Sequence, residues 1–127
     1  MTKRGERLAR PVARQEWELV AITGDAARGW DELATSEPTA LAHAYDQLTR
    51  DPAKRSERQH QLKGSLATGE YQGRTFYRWQ YEVTGAGRLW YFIDDPGPER
   101  RGGKGARARR RVLVEMVSIG HPKATDR

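Results

Sequence analysis

Hydrophobic and polar positions alternate through EWELVAIT, Glu16 to Thr23, with Trp17, Leu19 and Ala21 on one side. This period of two predicts a first β-strand. Gly24 and Asp25 end it, and Asp25 stands where it could cap a following helix. From Ala26 the apolar positions become Ala26, Ala27, Trp30, Leu33 and Ala34, the spacing of one helical face. TSEP breaks that stripe: Ser36 suits an N-cap, and Pro38 fits a first helical turn, where its missing N–H costs nothing. A second stripe, Leu41, Ala44, Tyr45 and Leu48, stops before Asp51 and Pro52. So short a link between the two predicts an antiparallel helical hairpin.

The next run, AKRSERQHQ, is polar and reads as a helix tail or loop. QLKG follows, then a glycine-rich passage to Arg74. From Thr75 the period is again two, with Tyr77, Trp79, Tyr81 and Val83 facing one way and Phe76, Arg78, Gln80 and Glu82 the other. TGAG is a turn signal, and a second strand from Arg88 to Asp94 sets Leu89, Tyr91 and Ile93 against Arg88, Trp90 and Phe92. The stretch DPGPERRGGKGARARR cannot bury apolar surface and reads as a mobile loop. RVLVEMVSIG, Arg111 to Gly120, is apolar enough for a central strand. The fold class expected is therefore α+β: an N-terminal strand, a two-helix antiparallel hairpin and a three-strand antiparallel meander, with the helices on one face. The aromatic residues crowded between Phe76 and Phe92 supply the bulk that so small a sheet needs.

Length and charge sharpen this picture. A chain of 127 residues supports one core. It divides into a flexible basic arm, 1–15, and a single domain, 16–127, with a basic loop at 95–110. Residues 1–15 carry five Lys/Arg and one acid, and residues 95–111 carry seven Lys/Arg and two acids. The body from Glu16 to Asp94 has nine basic and twelve acidic residues. Basicity confined to two appendages suits a polyanionic partner. With no cysteine, a disulfide framework and a thiolate metal site are both excluded, and a reducing cytoplasm suits the chain. Neither a signal-peptide pattern nor an apolar run of spanning length is present, so no membrane association is expected.

Burial explains the aromatics but leaves the basic residues among them without a cause. Arg78 and Arg88 fall on the side of the predicted hairpin away from its apolar face; Lys63 precedes the sheet, and His121 and Lys123 leave its last strand. With the strands adjacent, these five could converge at one open face. Three short segments, LKG before the sheet, GRLWYFIDD in the hairpin and VSIGHPK at the exit of the last strand, resemble in this order the RelE/ParE superfamily of toxins from type II toxin-antitoxin systems. The similarity runs from about Trp17 to Lys123.

That resemblance implies a small basic protein neutralised by a cognate antitoxin. RelE-like members enter the ribosome and cleave mRNA, whereas ParE-like members inhibit DNA gyrase. Matched residue by residue, Arg88 falls on the arginine that grips the phosphate in RelE-like nucleases, Arg78 on a basic position of the preceding strand, and Lys63 on the basic residue of the Leu-Lys/Arg-Gly element. Tyr91 falls on a tyrosine three residues later, here a core candidate. His121 and Lys123 fall where the family often has a histidine and a basic residue. This chain departs from the pattern twice: it lacks the C-terminal tyrosine of some nuclease members, and its 95–110 loop is much longer than the usual connection.

Ribonuclease chemistry can be matched to these residue types independently. Attack of a 2′-hydroxyl on the neighbouring phosphate requires one proton taken, one given and charge stabilised on the phosphoryl oxygens. Arginine suits the last task and histidine the first two. The expected catalytic set is Arg88, Arg78 and His121, with Lys63, Lys123, Arg100, Arg101, Lys104, Arg107 and Arg109 as RNA-binding residues. Neither a cofactor nor a metal ion is expected, since His43 and His60 lie at no metal-ligand spacing. His43 is assigned to the polar side of a helix, His60 to a polar linker, and Trp79 and Trp90 to core packing. The partners expected are an antitoxin, the ribosome and mRNA. A gyrase inhibitor and a non-catalytic RNA-binding relative are the alternatives.

Overall fold

A computed structural model describes residues 3–11, 16–96 and 109–119. The strands are β1 (Glu18–Ala21), β2 (Gln59–Gln61), β3 (Thr68–Tyr71), β4 (Arg74–Tyr77), β5 (Trp79–Glu82), β6 (Arg88–Asp94) and β7 (Arg111–Ser118). Helices α1 (Gly24–Ser36) and α2 (Pro38–Arg50) follow β1, and one 3-10 turn (Gly64–Leu66) precedes β3. Five strands form one sheet in the order β1-β7-β6-β5-β2, and β3 and β4 form a separate hairpin. β1 runs parallel to β7 and the other pairs are antiparallel. The α+β class and the central position of the last strand are as expected; the strand at Gln59 and the hairpin at Thr68 are additions.

The two helices meet at one residue. Glu37 closes α1 with its N–H on the Leu33 carbonyl and also stands as N-cap of α2, where Pro38 occupies the first turn. Ser36 is therefore the last residue of α1 and not the cap of α2. At the other end Thr23, not Asp25, caps α1: its Oγ1 accepts from the Ala26 N–H at 2.9 Å and donates to the Glu115 carbonyl at 2.9 Å. One hydroxyl thus satisfies a helix terminus and ties it to the central strand.

Ala26, Leu33, Leu41, Ala44 and Leu48 lie buried with Trp79, Tyr81, Val83, Leu89, Tyr91, Val112, Val114 and Val117 of the sheet in one apolar core. Trp30 and Tyr45 pack edge to face with centroids 6.4 Å apart. Tyr91 is fully buried, and its hydroxyl donates to the Pro52 carbonyl at 2.8 Å while accepting from Gln59 Nε2 at 3.2 Å. Burial raises the Tyr91 phenol well above its ordinary pKa. This confirms Tyr91 as a core residue.

The second face of the sheet departs from the sequence pattern. The expected single strand from Thr75 breaks at Arg78 into β4, which belongs to the hairpin, and β5, which belongs to the sheet. Tyr77 is accordingly 65% exposed, while Trp79, Tyr81 and Val83 stay buried. The hairpin covers one end of this face: Phe76 of β4 stacks on Phe92 of β6 at 5.3 Å, so Phe92 is buried although its strand neighbours facing the helices are buried too. β7 carries a bulge opposite the Trp90–Tyr91 step, where the register passes from Met116 to Val114 and leaves Glu115 as the extra residue.

Candidate functional site

Cross-strand register shows what the uncovered part of the second face presents. Gln59, Tyr81, Leu89 and Val117 form one row and are buried toward the helices. The adjoining rows must point the other way. One contains His60, Gln80, Trp90 and Met116; the next contains Glu82, Arg88 and Ser118. His60, placed in a linker by its sequence context, is a strand residue on the same face as Arg88. His60 on β2 and Arg88 on β6 are two strand spacings and one side-chain step apart, about 12 Å between backbones, so they share a face without being adjacent.

Arg88 is held at one corner. Its Nη1 donates to three carbonyls of the β5–β6 turn, Thr84 at 3.1 Å, Gly85 at 3.1 Å and Gly87 at 3.2 Å, and lies 3.8 Å from Glu82 Oε2. Nε and Nη2 make no hydrogen bond among the described residues, and the side chain is 31% exposed. A guanidinium anchored by one nitrogen keeps the planar edge that binds phosphate bidentately. Behind it, Trp90 Nε1 donates to Gln80 Oε1 at 2.9 Å, which fixes the indole as the floor of the face.

Arg78 stands apart from Arg88. Nε and Nη2 grip the two Glu115 oxygens at 2.7 and 2.8 Å, and Nη1 donates to the carbonyls of Leu66 and Thr68 at 3.1 and 3.0 Å. Four of the five N–H groups of this guanidinium are therefore used inside the protein. It lies over the rings of Trp90 and Phe92 at 5.4 and 5.6 Å. Bonding to Glu115 raises the Arg78 pKa. Arg78 ties the hairpin to the sheet and walls the open face.

Lys63 is exposed and lines a shallow cleft at the β2 edge with Arg55 and His60. Arg109 lies at the far end of the sheet, with Nε 4.0 Å from Glu18 Oε1. His121, Lys123, Arg100, Arg101, Lys104 and Arg107 fall outside the described residues. His121 follows Ser118 by three positions, and Ser118 is the β7 partner of Arg88. The alternation in the sequence put Glu82 on this face, but His60 was missed. The signal available was the three-residue period-two fragment QHQ before LKG, too short to separate from a loop.

At the end opposite Arg88, Asp94 is 5% exposed and receives Arg74 Nη2 on Oδ1 at 2.7 Å and Arg111 Nη2 on Oδ2 at 3.1 Å. Burial pushes the carboxyl up, but the two arginines outweigh it and hold Asp94 below the ordinary carboxylate range. A depressed folded pKa gives stability that is complete above the unfolded value, about 3.9, and is lost as pH falls through the lower folded value. Asp94→Asn is therefore expected to flatten the acid limb of a denaturation series below about pH 4, and an unaltered limb would contradict the pairing. Among the described residues no three His, Asp or Glu side chains are grouped to hold a metal ion, and no helix is long and apolar enough to cross a membrane.

No protein-family model matches the chain, and no curated protein does. Among solved structures, a YoeB/ParE toxin from Agrobacterium tumefaciens superposes with a TM-score of 0.54 at 17% identity, covering 82% of this chain and 98% of that one. The match is to a protein of the group whose short segments the sequence resembles. The chain has the fold of the RelE/ParE-type toxins.

Proposed function

We propose that this protein is the toxin of a toxin-antitoxin pair and acts as a ribosome-dependent mRNA endonuclease that uses no metal. The observation that carries this reading is Arg88, pinned by one nitrogen with Nε and Nη2 making no hydrogen bond among the described residues, on a face that also holds His60 and the Trp90 ring. The toxin fold supports the same class.

In the proposed reaction the 2′-oxygen attacks the adjacent phosphorus and the bond from phosphorus to the 5′-oxygen breaks. A 2′,3′-cyclic phosphate and a free 5′-hydroxyl result. Arg88 stabilises the charge gathering on the phosphoryl oxygens, where a preorganised donor has its largest effect. One proton leaves the 2′-hydroxyl and one reaches the leaving oxygen. His121 serves as acid or base, and His60 is a second imidazole on the face for the complementary transfer. Lys63 and Lys123 add positive potential, while Arg78 keeps the wall of the site in place. Arg100, Arg101, Lys104, Arg107 and Arg109 engage RNA backbone, and an antitoxin with an acidic or amphipathic segment covers the basic face.

Purified protein added to ribosomes programmed with a defined mRNA is expected to cut that mRNA only when the ribosome is present, and His121→Ala to slow the cut. Intact mRNA together with inhibited DNA supercoiling by gyrase would overturn the nuclease reading. Unchanged cleavage by His121→Ala would remove that residue from the proton transfers.

A further inference from the structure

The Asp94 cluster has the construction of a binding site. Its carboxylate is buried and uses one oxygen for each arginine. The arginines are not buried with it: the Arg74 side chain is 50% exposed and that of Arg111 39%. Among the described residues each guanidinium makes a single hydrogen bond, to Asp94, which leaves four of its five N–H groups without such a partner there. Arg74 is further fixed by lying over the Phe76 ring at 4.7 Å. Among the described residues the two cations share one anion, Asp94. Arg109, paired to Glu18, and Arg110, over the Trp17 ring at 4.6 Å, flank the same strand start, with Asp95 as the other neighbouring acid.

Exposed ion pairs contribute little to stability, so stability alone does not account for two arginines held at the surface. Here the anion alone is hidden and the two forks are held in place at the surface. A tetrahedral oxyanion can take one N–H pair from each fork. Six residue steps of β6 separate Asp94 from Arg88, about 20 Å, so this is a place distinct from the reacting phosphate. We infer that Arg74 and Arg111, positioned by Asp94, form a second phosphate clamp that grips the backbone of an RNA away from the cleavage point. The choice of RNA as the polyanion rests on the nuclease reading; the clamp itself does not.

The test uses the full chain and a fluorescein-labelled single-stranded RNA of mixed sequence, without ribosomes, across a potassium chloride series. Arg74→Gln, Asp94→Asn and Arg111→Gln are combined so that no carboxylate is left buried and unpaired; this variant loses one net positive charge. Arg28→Gln, on the exposed surface of α1, loses the same charge elsewhere and serves as control. The triple variant is expected to bind RNA several-fold more weakly and to shallow the slope of log K against log salt by about 1.4, the share of two single-strand phosphate contacts. The control should bind within about twofold of wild type, since one remote surface charge is screened at these salt concentrations.

Arg74→Lys with Arg111→Lys keeps the charge but loses the forks, and it too should weaken binding. A folded triple variant with unchanged affinity and slope would overturn the clamp. Unchanged RNA binding with lost binding of an acidic antitoxin segment would overturn it as well, by assigning the arginines to a protein partner. Because the readout is binding, a protein that cuts no mRNA yet shows the altered slope would sink the nuclease reading and leave the clamp standing.

Discussion

Arg88→Ala is expected to slow mRNA cleavage on the ribosome by about 10²- to 10³-fold, the usual consequence of removing one preorganised donor from a developing oxyanion. The loss should appear in a single-turnover rate at saturating protein, because the interaction strengthens as charge builds on the phosphoryl oxygens. Arg88→Lys should recover only part of it: an ammonium restores the charge but not the two-pronged geometry. Neither substitution touches the apolar core, since among the described residues Arg88 bonds the turn from Thr84 to Gly87 and faces Glu82. Thermal unfolding should therefore move little. Cleavage by Arg88→Ala within about threefold of wild type would mean that charge is stabilised elsewhere.

The second large effect concerns stability. Gly29 is buried where α1 crosses β7, and a Cβ at that position would overlap the Val117 carbonyl oxygen and lie 2.8 Å from Val117 Cβ. The obstacle is backbone of β7, held at Val117 by pairing with Leu89 of β6, so it has little room to step aside. Any side chain must instead lift α1 off the sheet, and with it Ala26 and Leu33. Gly29→Val is expected to cost about 3 kcal/mol or more, far beyond the roughly 0.3 kcal/mol of helix propensity gained by replacing glycine with valine. For a domain of this size that is a large share of the total. Denaturant unfolding of the variant measures it, and a midpoint equal to wild type would contradict the close packing of α1.

Where local pattern and tertiary packing agree, the sequence was sufficient. The stripes from Ala26 to Ala34 and from Leu41 to Leu48 became α1 and α2, and Trp79, Tyr81 and Val83 went to the core. The β3–β4 hairpin was hidden by its turn. Gln72 and Gly73 both take positive φ, 52° and 77°, a turn whose familiar signals are Asn-Gly or Asp-Gly, and Gln at the first position does not announce it. The break at Arg78 was hidden as well, because alternation of side chains continues through a residue that merely passes between two sheets.

The site was legible in part. Arg88 was visible from its place after the TGAG turn. The role of Arg78 depended on Glu115, the single acid in an apolar strand, and a bulge was needed to turn that acid toward the arginine. Asp94 offered only the sign of its charge, whereas its hold on Arg74 and Arg111 comes from residues brought together by the hairpin.

The most direct test of the account is induced expression of wild type and Arg88→Ala in a bacterial host, following protein synthesis and mapping mRNA 5′ ends. The account predicts that wild type arrests translation and creates new 5′ ends within coding sequence, and that Arg88→Ala does neither. Continued translation with no new ends, accompanied by DNA breaks and filamentous cells, would contradict it and turn attention to gyrase.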